Sequence, residues 1–399
     1  MSLRESGIMI SMPLRTAIGT FGGMLKDTPA AELGAAVVSD MLGRTGLRGE
    51  QIDQVIVGNV LQAGQGMNPG RQVALKASLP VGVPAMTVNR VCGSGLQAIV
   101  SAAEDIALGE AEVIAAGGIE NMDRAPFLLP KARYGYRMGM PNAELVDSMV
   151  YDGLWDVFND YHMGQTAENV ANKYGITRED VDAFSLRSHQ RAAAATAAGY
   201  FRDQIVPIEV PQKQETVPFT QDEHVRANAT LEGFARLKPV FKKDGIVTAG
   251  NASGINDGAG FVLVTTEGKA RDLGLPIAGR LVSTAVVGVD PAYMGTGPIP
   301  SIRKALQKAE LAVDDISVFE INEAFASIAL AAQRELDIPN EKLNPLGGAV
   351  ALGHPIGATG AILTVKLLHE LARQQARYGV VSLCIGGGMG IAAVFERVA

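Results

Sequence analysis

The chain reads as an α/β protein made of two similar halves, with an insert in the first. Apolar strand-like runs alternate with helical runs along most of its 399 residues. It carries 46 Gly, and 47% hydrophobic residues against only 5% aromatic ones, which suits closely packed helix and sheet layers better than a β-sandwich. The order of elements in the first third returns in the last. The expected boundaries are 1–270 for the first half, with the insert at about 121–250, and 271–399 for the second.

Gly7-Ile8-Met9-Ile10-Ser11 is a short strand, followed by a loop punctuated by Pro13 and Gly19. Ala30 to Leu42 has helical periodicity, Ile52 to Val60 reads as a buried strand, and Gly70 to Ala77 as a short helix. Met86-Thr87-Val88-Asn89 leads into Cys92-Gly93-Ser94-Gly95. Beyond it Leu96, Ile99, Val100, Ala103, Ile106 and Ala107 recur at helical spacing until Gly109. Val113 to Gly118 is a core strand ending in glycines. From Asn121 to about Gly250 charges are denser, and the only Trp (Trp155) and most tyrosines fall here. Thr177-Arg178-Glu179-Asp180 opens a helix as a capping box, with Asp180 in place of Glu or Gln. Phe261 to Val264 returns to a core strand. Gly46-Leu47 followed by Ile52 to Val57 then matches Glu310-Leu311 followed by Ile316 to Ile321. Ala111 to Gly118 matches Tyr378 to Leu383, and the Cys92 helix matches the apolar helix after His354.

A net charge of −7 without a long basic block argues against nucleic acid as a partner. Two cysteines far apart suggest neither a disulfide framework nor a metal site. The opening Met1-Ser2-Leu3-Arg4-Glu5 has no signal-peptide pattern and no apolar stretch is long enough to span a bilayer, so a cytoplasmic protein that stays off membranes is expected.

Four stretches carry candidate chemistry besides Cys92. Cys92 falls at or just before a helix N-terminus, where free N–H groups and partial positive charge favour thiolate over thiol; Gly93 and Gly95 leave room for a bulky thioester. The alternative is a cysteine used as a small buried hydrophobe. Asn322-Glu323-Ala324-Phe325 closes an apolar strand, and either caps the next helix or orients a water or carbonyl at the sheet's carboxyl edge. Gly353-His354-Pro355, in a glycine-rich run, holds an imidazole rigidly enough to take a thiol proton or share in an oxyanion hole; a helix-capping His is the plainer alternative. Cys384-Ile385-Gly386-Gly387-Gly388 ends a strand with exposed N–H groups able to bind an oxyanion. Tyr161 to Gly164, Arg226 and Thr248 to Gly258 are able to contact an extended ligand, or are ordinary polar loops. His189, His224 and His369 receive no role.

Together, Cys92-Gly93-Ser94-Gly95, Asn322-Glu323-Ala324-Phe325, Gly353-His354-Pro355 and Cys384-Ile385-Gly386-Gly387-Gly388 closely resemble the thiolase family across essentially the whole chain. Tyr161 to Gly164 and Thr248 to Gly254 look more like its acetyl-CoA acetyltransferase branch. The resemblance implies two βαβαβαββ halves in a five-layer αβαβα sandwich, with a loop domain inserted in the first half. It implies a ping-pong reaction in which Cys92 carries the acyl group, His354 activates Cys92, and Cys384 moves the α-proton or the CoA proton. Asn322, through a water, and His354 would form one oxyanion hole; the amides of Cys92 and Gly386 would form the other. Leu154, His162, Met163, Arg226, Ala249, Ser253, Ala324 and Phe325 would line the coenzyme A channel. Coenzyme A and acetyl-CoA would be substrates, with no permanently bound cofactor and no metal.

A decarboxylating ketoacyl synthase would share the fold but leave Cys384 idle. A non-catalytic acyl-CoA carrier would be expected to have lost Cys92, His354 or Cys384. Zinc sites usually pair closely spaced ligands, which are absent here. Acyl-chain length would depend on Pro126 to Met140 and on Met294. Arg133 to Gly139 resembles the tetramerisation segment of acetyltransferases, which implies a homotetramer.

Overall fold

The first strand runs through the loop expected at Pro13. β1 (Ile8–Thr16) continues to Thr16 because a bulge between Ser11 and Leu14, with Met12 at φ 46°, absorbs the proline, which has no N–H to offer a regular ladder. The structure is a computed structural model describing residues 6–138, 142–212 and 215–398. The opening Met1 to Glu5, and Gly139 and Met140 from the segments expected to shape the pocket and the tetramer, lie outside the described residues.

In the first half follow α1 (Ala30–Thr45), β2 (Gln54–Gly58), α2 (Pro69–Lys76), β3 (Ala85–Val88), α3 (Ser94–Ala107) and β4 (Val113–Asn121). The chain then makes its excursion, which includes α4 (Met163–Tyr174) and α5 (Arg178–Ala197), and re-enters the sheet as β5 (Asn256–Thr266). The capping box is present on α5: the Asp180 amide donates to Thr177 Oγ1 at 3.2 Å and the Thr177 amide to Asp180 Oδ2 at 3.0 Å. The second half comprises β6 (Ile277–Gly288), α6 (Pro298–Ala309), β7 (Val318–Ile321), α7 (Ala326–Glu335), α8 (Ala349–Leu352), α9 (Thr359–Gln374), β8 (Tyr378–Ile385) and β9 (Met389–Glu396).

Strand order shows the repeat. The first sheet runs β3-β2-β4-β5-β1 and the second β7-β8-β9-β6, with Leu343 making a single parallel bridge to Phe319 where β3 stands in the first half. In both, the strands at the outer end are parallel and the last two, next to the join, antiparallel. The sheets join edge to edge through β1 and β6, with Met9 opposite Arg280 and Ile10 opposite Gly279. The turns match as well. α1 ends at left-handed Gly46 and α6 at left-handed Glu310, and each is followed by a short 3-10 turn and then a buried strand.

Three apolar clusters define five layers. α1 and α2 cover the outer face of the first sheet, α6 and α7 that of the second, and α3 and α9 share the space between the sheets. The two central helices meet at their first turns. A Cβ on Gly95 would lie 2.8 Å from the Ala361 amide nitrogen, and one on Gly360 would collide with that of Leu96. Only glycine at both points permits this approach, which brings the residues preceding each helix, Cys92 and His354, to the same end of the layer.

Candidate active site

A strained turn presents Cys92. Val91 lies in the left-handed region at φ 44°, where a β-branched residue is disfavoured by about 1–3 kcal/mol. The turn is held by Asn89 Oδ1, which accepts the Val91 amide at 2.9 Å, and by the Ser94 hydroxyl, which donates to Val91 O at 2.7 Å and accepts the Arg90 amide at 2.8 Å. The Cys92 sulfur accepts from the Gly386 amide and its own. Both contacts favour the thiolate, as expected ahead of a helix, but burial outweighs them and the negative charge of Glu120 adds to it. The thiol is pushed up to about 11. The expectation of a resting thiolate is therefore corrected: the sulfur keeps its proton until a base removes it.

His354 lines the same cavity as Cys92. Its Nδ1 is 2.6 Å from Thr359 Oγ1, whose own hydroxyl donates to Pro355 O at 2.8 Å. Thr359 must then accept from the ring, which assigns the proton to Nδ1 and leaves the Nε2 lone pair free to act as base. Asn322 Nδ2 lies 3.3 Å from Nε2, while Asn322 Oδ1 is buried without a hydrogen-bond partner. Burial lowers the imidazole to about 4, so it is neutral near pH 7. The main chain of His354 donates to Asn256 Oδ1 at 2.9 Å.

Neither member of the Asn-Glu pair caps the next helix, α7, whose N-terminus has no side-chain cap. Asn322 faces His354, whereas Glu323 is a buried anchor. It accepts from the Ser188 hydroxyl (2.7 Å), the Asn344 side chain (2.7 Å) and the Val350 amide (3.1 Å), fixing the glycine-rich segment that carries His354. Cys384, near the end of β8, is fully buried among Met163, Met294, Phe325 and Ile328. Burial holds its thiol well above the ordinary range, and the nearby Cys92 raises it further.

Cys92, His354 and Gly386 meet at the wall of a cavity of about 260 Å³, whereas Asn322 and Cys384 do not line it. Of the expected channel residues, Leu154, His162, Met163, Ala249, Ser253, Ala324 and Phe325 line it. Arg226 does not. It is exposed on the insert, and its amide donates to His189 Nδ1 at 3.1 Å. Ser253 has committed its hydroxyl proton to Ala324 O at 3.1 Å, which docks the 248–254 turn onto the Asn322 motif. Sequence reasoning missed Phe241, which stacks on His162 (4.6 Å between centroids, 17° between planes) and meets Phe325 edge-on at 6.3 Å. It also missed Glu120 and the part played by Thr359, and it singled out Asn256 only within the Thr248 to Gly258 stretch, as a ligand contact. For Glu120 the visible signal was a carboxylate inside the apolar run Val113 to Asn121.

A thiol bonded by two amides, a neutral imidazole at the same apolar cavity and a second, buried thiol nearby are able to support acyl transfer on a duplicated α/β scaffold. The chain belongs to the thiolase family: the family models match at residues 8–268 (thiolase, N-terminal domain) and 275–397 (thiolase, C-terminal domain). An acetyl-CoA acetyltransferase of Pseudomonas aeruginosa is 55% identical over 391 residues, covering 98% of this chain and 99% of the relative. Among solved structures, the Bacillus anthracis acetyl-CoA acetyltransferase superposes with a TM-score of 0.96 at 45% identity, over 98% of this chain and 99% of that one. Human mitochondrial 3-ketoacyl-CoA thiolase in complex with CoA gives 0.95 at 44% identity, over 99% and 98%.

Proposed function

We propose that this chain is an acetyl-CoA C-acetyltransferase, which condenses two acetyl-CoA to acetoacetyl-CoA and CoA and runs the thiolysis in reverse. The observation that carries this reading is the Cys92 sulfur beneath the amides of Gly386 and Cys92, in a cavity shared with His354 and close to Cys384.

His354 Nε2 takes the Cys92 proton as the sulfur attacks the acetyl-CoA carbonyl. The carbonyl oxygen gains negative charge, CoA leaves with the proton from the imidazolium, and the acetyl group stays on Cys92 as a thioester. Cys384 passes its thiol proton to His354 Nε2 and, as thiolate, removes the α-proton of a second acetyl-CoA, and the carbanion attacks acetyl-Cys92. Acetoacetyl-CoA departs, and the Cys92 thiolate takes the proton back from the imidazolium, leaving both cysteines as thiols. Asn322, through a water, and His354 hold the oxyanion of one partner, while the Cys92 and Gly386 amides hold that of the other. The orphaned Asn322 Oδ1, able to accept from a bridging water, supports this division, and His354 donates to the oxyanion while Nε2 carries a proton. The apolar walls, Met163, Phe241, Met294 and Phe325 among them, suit the pantetheine and acyl parts of coenzyme A. Arg226, outside those walls, would at most reach the nucleotide end.

A broader 3-ketoacyl-CoA thiolase is the second reading, favoured by the likeness to the human mitochondrial enzyme. Thiolysis of a chain-length series of 3-ketoacyl-CoAs, with Cys92→Ala as control, separates the two. We expect turnover of acetoacetyl-CoA alone, abolished in the variant; preference for longer chains establishes the second reading, and no turnover of any member sinks both. We also propose a homotetramer built through the segment around Arg133 to Met138, where Tyr134 and Met138 stand exposed. Sedimentation should give the mass of four chains, and a stable monomer or dimer would contradict it.

A further inference from the structure

The proposed reaction needs His354, from the second half, held against Cys92, from the first. The turn after His354, 355–358, is seated on a buried carboxylate that the mechanism does not use. Glu120 sits on β4 with no solvent exposure. Its Oε1 accepts from Asn59 Nδ2 at 2.7 Å and the Leu61 amide at 3.2 Å; its Oε2 accepts from the Val60 amide at 3.1 Å and the Gly357 amide at 2.9 Å. Three donors belong to the first half. The fourth, Gly357, lies three residues after His354 and two before Thr359, which fixes the ring's tautomer.

The seat is close-fitting. A Cβ on Gly357 would fall 2.7 Å from Ile119 O, 2.8 Å from Asn59 Cα and 2.8 Å from Glu120 Oε2. Around it Val60, Leu61, Met122 and Ile356 form one buried cluster, and Cys92 packs against the same cluster. A carboxylate removed from water needs its hydrogen bonds made, and here one of them crosses between the halves at the point where base and nucleophile meet.

We infer that Glu120 is a positioning residue, setting the distance between His354 and Cys92 by holding the Gly357 amide; the inference rests on the thiolase reaction proposed above. His354 keeps a second tie to the first half through Asn256, so removing Glu120 loosens the base without releasing it.

A double-mutant cycle on the full chain tests this, with steady-state thiolysis of acetoacetyl-CoA as the readout. Glu120→Ala should lower kcat about 100-fold, the order expected for a base displaced by about 1 Å, with KM changed less than about twofold. Combined with His354→Ala it should add no more than about threefold to the loss from His354→Ala alone, because both changes remove one function. Glu120→Gln should recover kcat to within about tenfold of wild type. Its oxygen can keep Gly357, and its amide can be accepted by Asn59 Oδ1, which is buried without a partner. If the Ala variant does not fold, Glu120→Asp, one methylene shorter, should show the same pattern at about tenfold. Losses that multiply in the double variant, a kcat kept within about threefold, or a KM effect alone would overturn the inference. An inactive wild type would sink the underlying reaction, whereas an active wild type with multiplying losses sinks only the role of Glu120.

Discussion

Cys92 stands on a strained turn, partly buried at the cavity wall, with two amides on its sulfur. Cys384 lies near the end of a strand, wholly buried among methionines and phenylalanine, and the one main-chain amide favouring its thiolate is its own. Both thiols are raised chiefly by burial, with the charge of Glu120 adding to the effect at Cys92 and that of Cys92 adding to it at Cys384. The contrast teaches how one fold separates two roles for one functional group. A nucleophile must be reachable, and amides at its sulfur also suit the oxygen of the group it acquires. A base that removes a weakly acidic α-proton gains strength from being desolvated, since a high thiol pKa means a more proton-hungry thiolate.

The sharpest way to break the comparison is to remove the buried partner alone. Cys384→Ala should still release one CoA per site from acetyl-CoA and leave an acetyl group on Cys92, detectable by intact mass. Condensation and thiolysis should fall by roughly 10³-fold, within the range typical for loss of a general acid-base group. A variant retaining turnover within about tenfold would show that Cys384 is packing and that the α-proton goes elsewhere.

How much of this was legible differs between the two cysteines' surroundings. The Cys92 helix, the strand closed by Asn322, and the strand leading to Cys384 could all be read from local periodicity, and the four motifs in order identified the family. The doubling was visible too, because matching turns leave matching signals: Gly46 and Glu310 occupy equivalent left-handed caps. Other features depend on neighbours far along the chain. The β1 bulge lets Pro13 sit inside a strand, which no local rule anticipates. Thr359 sets the His354 tautomer and Asn256 holds its main chain, yet neither residue type announces such a role. The sign of the Cys92 shift was missed for the same reason. Helix-end electrostatics are local and readable, whereas burial and the charge of Glu120 come from the assembled fold.

A smaller effect sharpens the contrast in protonation. With its thiol raised to about 11, Cys92 is mostly protonated at neutral pH, and its thiolate fraction grows tenfold for each pH unit below that value. His354, lowered to about 4, stays neutral over the same range and so does not hold a resting ion pair with the sulfur. Alkylation of the ligand-free protein by iodoacetamide, followed by peptide mass mapping, should accelerate about tenfold per unit between pH 7 and 9 at Cys92. Cys384 should lag at every pH, because it is fully buried and its thiol is held well above the ordinary range. A Cys92 rate already level at pH 7 would mean that the thiolate and imidazolium coexist at rest. Acyl transfer would then begin from a charged pair rather than from the neutral thiol and imidazole that burial favours here.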